Sequence, residues 1–319
     1  MDNLTHSLFG ALMGQMGLKK KTGLAMPALI IGANLPDVDA TCFFWLDGVE
    51  HLGFRRGITH GPIAMVVLPA ILAWILLTFD RWQIRRGTRP KKRLPVTFKW
   101  LYLLSLIGCL SHPALDWLNV YGVRLLEPFS SQWFYGDTLF IIDVWLWMLL
   151  GFGVWHSLNH EKEKLAWERT GRIWMYLSLI YIGFNGVIST STAYGGSADR
   201  KPDEVISSPV VFRFWEREVM WREGRVWWFA QHDFFNNTRE SKFAVRSLCS
   251  RSAIDRAAQA TSEGRAYMFW SRAPVAERSA DGTIVVRDAR FYDPRARGNF
   301  EVSIPELQCV DLGEEPRGQ

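Results

Sequence analysis

Two uncharged apolar runs, residues 58–79 and 173–194, constrain this chain more than any other feature. Each offers the roughly 20 residues a helix needs to cross a hydrocarbon core. The mean hydropathy of −0.02 over 319 residues resembles an ordinary soluble protein only because it averages two unlike parts. Residues 1–192 carry 18 Lys and Arg against 13 Asp and Glu, whereas residues 193–319 carry 19 of each. A hydrophobic part holding all of the net charge is thus joined to a polar one. That split excludes a single soluble domain, a small disulfide scaffold and a disordered or repeat protein. It also disposes of the pI of 9.1 as a sign of nucleic-acid binding, because most basic residues sit in short loops between apolar runs and form no basic face outside them.

Two further runs are shorter or interrupted: residues 100–115, followed by Asp116, and residues 138–155, broken by Asp143. Upstream, residues 4–18 and 24–36 suggest short helices packed into a bundle or entering it part-way. No cleavable signal peptide is expected, since Asp2 replaces the basic start and Lys19 to Lys21 follow the apolar stretch. The expected fold is a polytopic α-helical membrane bundle with short and broken helices over residues 1–194, followed by a small α+β, β-rich extramembrane domain over residues 195–319.

Cytoplasmic loops collect Lys and Arg. Residues 19–21, 81–99 and 162–172 hold 15 of the 18 basic residues in the first part, so these segments belong inside. Alternating crossings then put the N-terminus, the 36–57 and 113–137 loops and the polar domain on the outer face, the periplasm of a Gram-negative inner membrane.

Ionisable groups within or beside apolar runs are costly, and each is a functional hypothesis by default. His6, Asp37, Asp39, His60, His112 and Asp116 all fall near the same outer face, although that face was assigned from Lys and Arg alone. His112 and Asp116 lie at i, i+4, on one side of a helix, provided that Pro113 begins a fresh turn. Imidazoles and carboxylates from four segments form a mixed N/O set suited to Zn²⁺ or Mn²⁺, one or two ions. Against this, a lone apolar-face His is more often structural, and an Asp after Pro often caps a helix. Arg55 and Arg56 are candidates to bind an anion or developing negative charge. Asp39 or Asp143 is the candidate proton acceptor; Asp143 is alternatively a partner of a ligating His or a counter-ion of Arg56 or Arg124. Tyr121 and Asp137 are possible rim residues, while His51, His156, His160 and His232 read as ordinary.

At these residues the chain resembles the YdjM-like family of LexA-regulated, inner-membrane-associated metal-dependent hydrolases. Asp2-x-Leu4-Thr5-His6 with Gly10, Leu35-Pro36-Asp37-x-Asp39, Arg56-Gly57-x-Thr59-His60 and His112-Pro113-x-Leu115-Asp116 with Tyr121-Gly122 carry the resemblance in order. Pro128-Phe129-Ser130, Ile142-Asp143 and Asp288-Ala289-Arg290-Phe291 fit it too. One departure is Arg55, where relatives often carry His. The order of ligand types is also similar to zinc-dependent phospholipase C and nuclease proteins, without their second His-x-x-x-Glu. The resemblance implies a metal-dependent hydrolase. Position at headgroup depth suggests a membrane lipid or lipid-linked phosphoester as substrate, with no nucleic acid and no identified protein partner. Two other readings stay open: a non-catalytic, metal-stabilised membrane protein whose polar domain binds an envelope partner, and a transporter. The transporter reading is disfavoured by the apolar stretches at 63–79 and 100–111.

After residue 194, Gly195-Gly196-Ser197, Lys201-Pro202 and Ser208-Pro209 read as a linker. Residues 210–221 and 225–232 read as a hairpin around Arg222-Glu223-Gly224, residues 265–272 and 283–292 as further β-rich runs, and residues 251–262 as a helix. Cys249 and Cys309 form a candidate disulfide in an oxidising compartment.

Overall fold

A computed structural model of the chain describes residues 1–195, 202–292, 297–305, 307 and 309; Gly196, Ser197 and Lys201 of the expected linker lie outside them, and its Ser208-Pro209 part is not linker but lies in the strand Glu204–Val210. The chain forms two compact units: residues 1–40, 56–189 and 209–215 in the first, and residues 41–55, 190–208 and 216–319 in the second.

The first unit is helical. It is built from α1 (Asn3–Gln15), α2 (Ala25–Gly32), α4 (Pro62–Arg85), α5 (Phe98–Trp117), α6 (Val144–Lys162) and most of α7 (Trp167–Gly195), with α3 (Glu50–Phe54) assigned to the second unit. The Asp2 carboxylate accepts from the Leu4 and Thr5 N–H groups to start α1, and Asp143 starts α6 by accepting from Leu146 N–H. Pro62, at the first helical position of α4, surrenders an N–H that had no partner there anyway.

Three glycines bring α1, α2 and α5 into backbone contact. A Cβ on Gly10 would lie 2.8 Å from the Leu29 carbonyl oxygen, one on Gly108 2.7 Å from the same oxygen, and one on Gly32 2.8 Å from the Ser105 carbonyl oxygen. Helices this close place side chains from different segments within reach of one ion. Leu12, Leu29, Leu101, Leu104, Leu146 and Leu150, all fully buried, fill the surrounding core.

Among the described residues, two helices are long and apolar enough to cross a membrane: Pro62–Arg85 and the Trp167–Ala193 part of α7. They coincide with the two uncharged runs. The 20-residue α5 and the 19-residue α6 fall outside that pair. Helix α5 also runs unbroken through Pro113, where a fresh turn was expected. Proline costs an interior helix one hydrogen bond, and here packing tolerates it.

The second unit holds most of a four-stranded sheet ordered β1-β2-β3-β4, with β1 (Glu204–Val210), β2 (Arg213–Glu223), β3 (Val226–Asp233) and β4 (Thr238–Arg246). The expected hairpin is present: Glu223 pairs with Val226 across a tight turn in which Gly224 adopts φ 60°. A second sheet holds β5 (Pro274–Arg278), β6 (Ile284–Asp288) and β7 (Glu301–Ser303). Helix α8 (Arg251–Ala258) occupies most of the expected helical segment.

Residues 265–272 are not a strand. They lie largely in α9 (Ser262–Trp270), which starts where the Thr261 side chain accepts from Gly264 N–H. The aromatic run Tyr267-Met268-Phe269-Trp270 has β-preferring residues, but cap and burial override that preference, with Tyr267 and Trp270 fully buried. Helix α3 packs closely on α9, a Cβ on Gly53 falling 3.1 Å from Ala266 Cα. That contact draws residues 41–55 into the second unit, so the chain is not divided by a single cut after residue 194. Cys249 and Cys309 are joined in a disulfide, while Cys42 and Cys109 are buried and remain thiols.

Candidate metal centre

Four segments of the first unit converge on Asp116. His6 comes from α1, Asp37 from the 3-10 segment Leu35–Phe44, His60 from the 3-10 turn Ile58–His60, and His112 and Asp116 from one face of α5. Asp116 Oδ1 lies 3.3 Å from His6 Nε2, and its Oδ2 lies 3.5 Å from both His60 Nε2 and His112 Nε2. His112 Nε2 is 3.7 Å from Asp37 Oδ1. The His6 and His112 rings stack with centroids 3.8 Å apart, and His60 meets His112 edge-on at 5.0 Å. Two overlapping sets, His6–His112–Asp116 and Asp37–His60–His112, each place one ligand atom per residue within 4.8 Å of one another.

Hydrogen bonding fixes which ring nitrogens carry protons. His112 Nδ1 is 2.6 Å from the Ala33 carbonyl, an acceptor only, so Nδ1 carries the proton. The Thr59 hydroxyl donates to Asp39 Oδ2 at 2.9 Å, so its oxygen is left to accept from His60 Nδ1 at 3.0 Å. In the neutral rings both Nε2 atoms therefore present lone pairs towards Asp116. No hydrogen bond reaches Nε2 of His6, His60 or His112, or Oδ2 of Asp116. Asp116 is compensated by Arg56 and the Met1 amine, whereas the buried Nε2 atoms of the three imidazoles have no hydrogen bond, an arrangement that a bound cation would satisfy. The donor set thus fits a divalent cation of the Zn²⁺ or Mn²⁺ type.

His112 Nε2 can serve only one ion, since its other nitrogen is committed to Ala33. Asp116 turns one oxygen towards His6 and the other towards His60 and His112.

Asp39 falls outside both sets. Its Oδ2 accepts from Thr59 and from Arg56 N–H at 2.8 Å, and sits 3.5 Å from His60 Nδ1, so it orients His60. Arg56 lies against Asp116, Nε to Oδ2 at 3.2 Å, while its Nη1 donates to Asn119 Oδ1 at 3.1 Å and the Gly122 carbonyl at 3.3 Å. The Tyr121 ring lies under that guanidinium at 4.5 Å. Arg55, treated as its equivalent in the sequence, belongs to the second unit and lies over the Phe43 ring. Asp143 caps α6 and accepts from the Tyr181 hydroxyl at 3.0 Å, outside both ligand sets. The Asp137 carbonyl accepts from the Ser189 hydroxyl.

Sequence reasoning gave no role to Thr59, Asn119, the Ala33 carbonyl or the buried Met1 amine, which contacts Asp116. Thr59 precedes a candidate ligand, and Asn119 lies one turn beyond Asp116. Either spacing is a signal, whereas the Ala33 carbonyl leaves none.

A helical unit with two membrane-length helices and a buried His/Asp cluster points to a class: integral membrane proteins with a buried cluster that could hold a metal ion. Residues 1–190 match the model of the YdjM inner membrane protein family, and the chain belongs to that family. It is also similar to the uncharacterised protein YfhP of Bacillus subtilis (strain 168), 22% identical over 327 residues that cover 99% of this chain and 92% of that one. No solved structure matches.

Proposed function

We propose that this protein is a membrane-bound metal-dependent hydrolase acting at the periplasmic face, on a phosphoester of a membrane lipid or a lipid-linked substrate. The observation that carries the proposal is the set of unsatisfied Nε2 atoms on His6, His60 and His112 around Asp116. In this reading the inner-membrane protein is polytopic, with its second unit in the periplasm, as the Lys and Arg distribution suggests.

A divalent ion, when bound, acidifies water and polarises the scissile group. His6, His60, His112, Asp116 and Asp37 would hold it. Asp39 and Thr59 keep the His60 proton on Nδ1, and Ala33 does the same for His112. Asp37, whose side chain is 10% exposed against 0–1% for the other ligands, is the edge of the set nearest solvent. Arg56 neutralises Asp116. That pairing favours a positioning role for Arg56 over direct substrate binding.

The burial of His6, His112 and Asp116 favours a second reading, in which a closed metal site stabilises the helices without catalysis. The test is hydrolysis of a chromogenic phosphodiester and a phosphomonoester by protein loaded with Zn²⁺ or Mn²⁺. Metal-dependent turnover lost in His112→Ala supports the hydrolase. Retained metal without turnover on those or lipid phosphoesters supports the structural site.

A further inference from the structure

An open groove of about 1010 Å³ runs between α1, α6 and α7, wholly within the first unit. Leu4 and Leu8 supply one wall, Met148 and Phe152 the middle, and Trp174 and Tyr181 the other wall. Trp174 and Tyr181 belong to the membrane-length part of α7, so the groove faces the hydrocarbon layer.

Four of the five polar handles along its aromatic lining are engaged. Trp145 Nε1 donates to the Phe212 carbonyl at 2.8 Å, Trp147 Nε1 to Thr5 Oγ1 at 2.9 Å, and Trp174 Nε1 to His156 Nδ1 at 3.1 Å. The Tyr181 hydroxyl donates to Asp143. These four groups offer a headgroup no donor, and apart from the Trp155 indole N–H the surface presented is hydrocarbon.

The floor also argues against a second helix. Helices associate in membranes through seams of small residues. Here Gly151 stands between Trp147 and Trp155, its neighbours at i−4 and i+4, and a Cβ at Gly151 would meet only Leu8 Cδ1, at 3.9 Å. A single gap between bulky aromatics suits a slender flexible chain.

We infer that this groove is a binding site for an acyl chain of a membrane phospholipid. It needs no metal and no reaction, so it stands or falls separately from the proposed hydrolase.

The test is photolabelling of the full chain in nanodiscs made of a phospholipid carrying a diazirine on its acyl chain, with labelled peptides quantified. Peptides spanning Met148 and Phe152 are expected to label above those spanning the exposed α4 residues Ile71 and Trp74, which report ordinary bilayer contact. Gly151→Trp fills the floor and is expected to abolish that excess while leaving α4 labelling unchanged. Gly151→Leu, with a smaller side chain, gives the same loss if the larger variant misfolds. Groove labelling equal to that of α4, or unaffected by both substitutions, overturns the inference. So does cross-linking of the groove to a second protein copy in place of lipid.

Discussion

Arg56 and Asp116 form a buried ion pair, Nε to Oδ2 at 3.2 Å, at the point where the ligand segments meet. Arg56 adopts φ 56°, and its carbonyl accepts from Arg124 N–H at 2.9 Å, so backbone and side chain are both held. Removing one partner of a buried pair strands the other charge, typically at a cost of about 3–5 kcal/mol. The Met1 amine still faces Asp116 in Arg56→Ala, which is therefore expected to destabilise the helical unit by at most that order, read as a lower denaturation midpoint in detergent. A change below about 1 kcal/mol, the usual worth of an exposed pair, would contradict the assignment.

The Thr59 hydroxyl links Asp39 to His60 and sets the ring's tautomer. Thr59→Val and Asp39→Asn are expected to weaken metal affinity about 10–100-fold without changing how many ions bind at saturation. Competition against a metallochromic chelator measures both quantities. Loss of a whole equivalent in Asp39→Asn would instead make Asp39 a ligand.

The pH response of the second unit follows from Asp288 and Arg290, both buried. Burial alone would raise the Asp288 carboxyl, but the Arg290 charge and hydrogen bonds, with the Ser271 hydroxyl, hold it below the usual carboxylate range. A carboxyl depressed in the folded state contributes stability above its unfolded pKa, about 3.9, and loses it as pH falls through the folded value. Hydrogen exchange in the Tyr267–Trp270 peptide should rise as the pH falls below about 4. In Asp288→Asn the peptide should already exchange faster at neutral pH and respond less to acid; an unchanged profile contradicts the pair's role.

With Cys249 and Cys309 joined, non-reduced denatured protein should expose two reactive thiols, from Cys42 and Cys109, and four after reduction. Four before reduction would remove the disulfide.

Much of the helical unit was legible because one physical requirement writes it plainly: residues that face hydrocarbon cannot be charged. Hence α4 and α7 coincide with the uncharged runs. His112 and Asp116 were legible for a similar reason, since i, i+4 spacing places them on one face whatever the tertiary fold. Arg55 and Arg56 were not separable, because the left-handed backbone at Arg56 has no sequence signature in a non-glycine residue. The division of labour between Asp37 and Asp39 depends on Thr59 and Arg56 N–H, a contact across 17 residues of chain. Likewise α9 reads as a strand by composition and becomes a helix through its Thr261 cap and its contact with α3.

The most direct test of the metal centre is the divalent-metal content of purified protein beside His60→Ala, His112→Ala and His156→Ala, the last lying on α6 in a separate pair with His160. Bound Zn²⁺ or Mn²⁺ that falls in the first two variants and persists in the third is the predicted result. Equal content in all four proteins, or none in any after growth and purification with added metal, would contradict it.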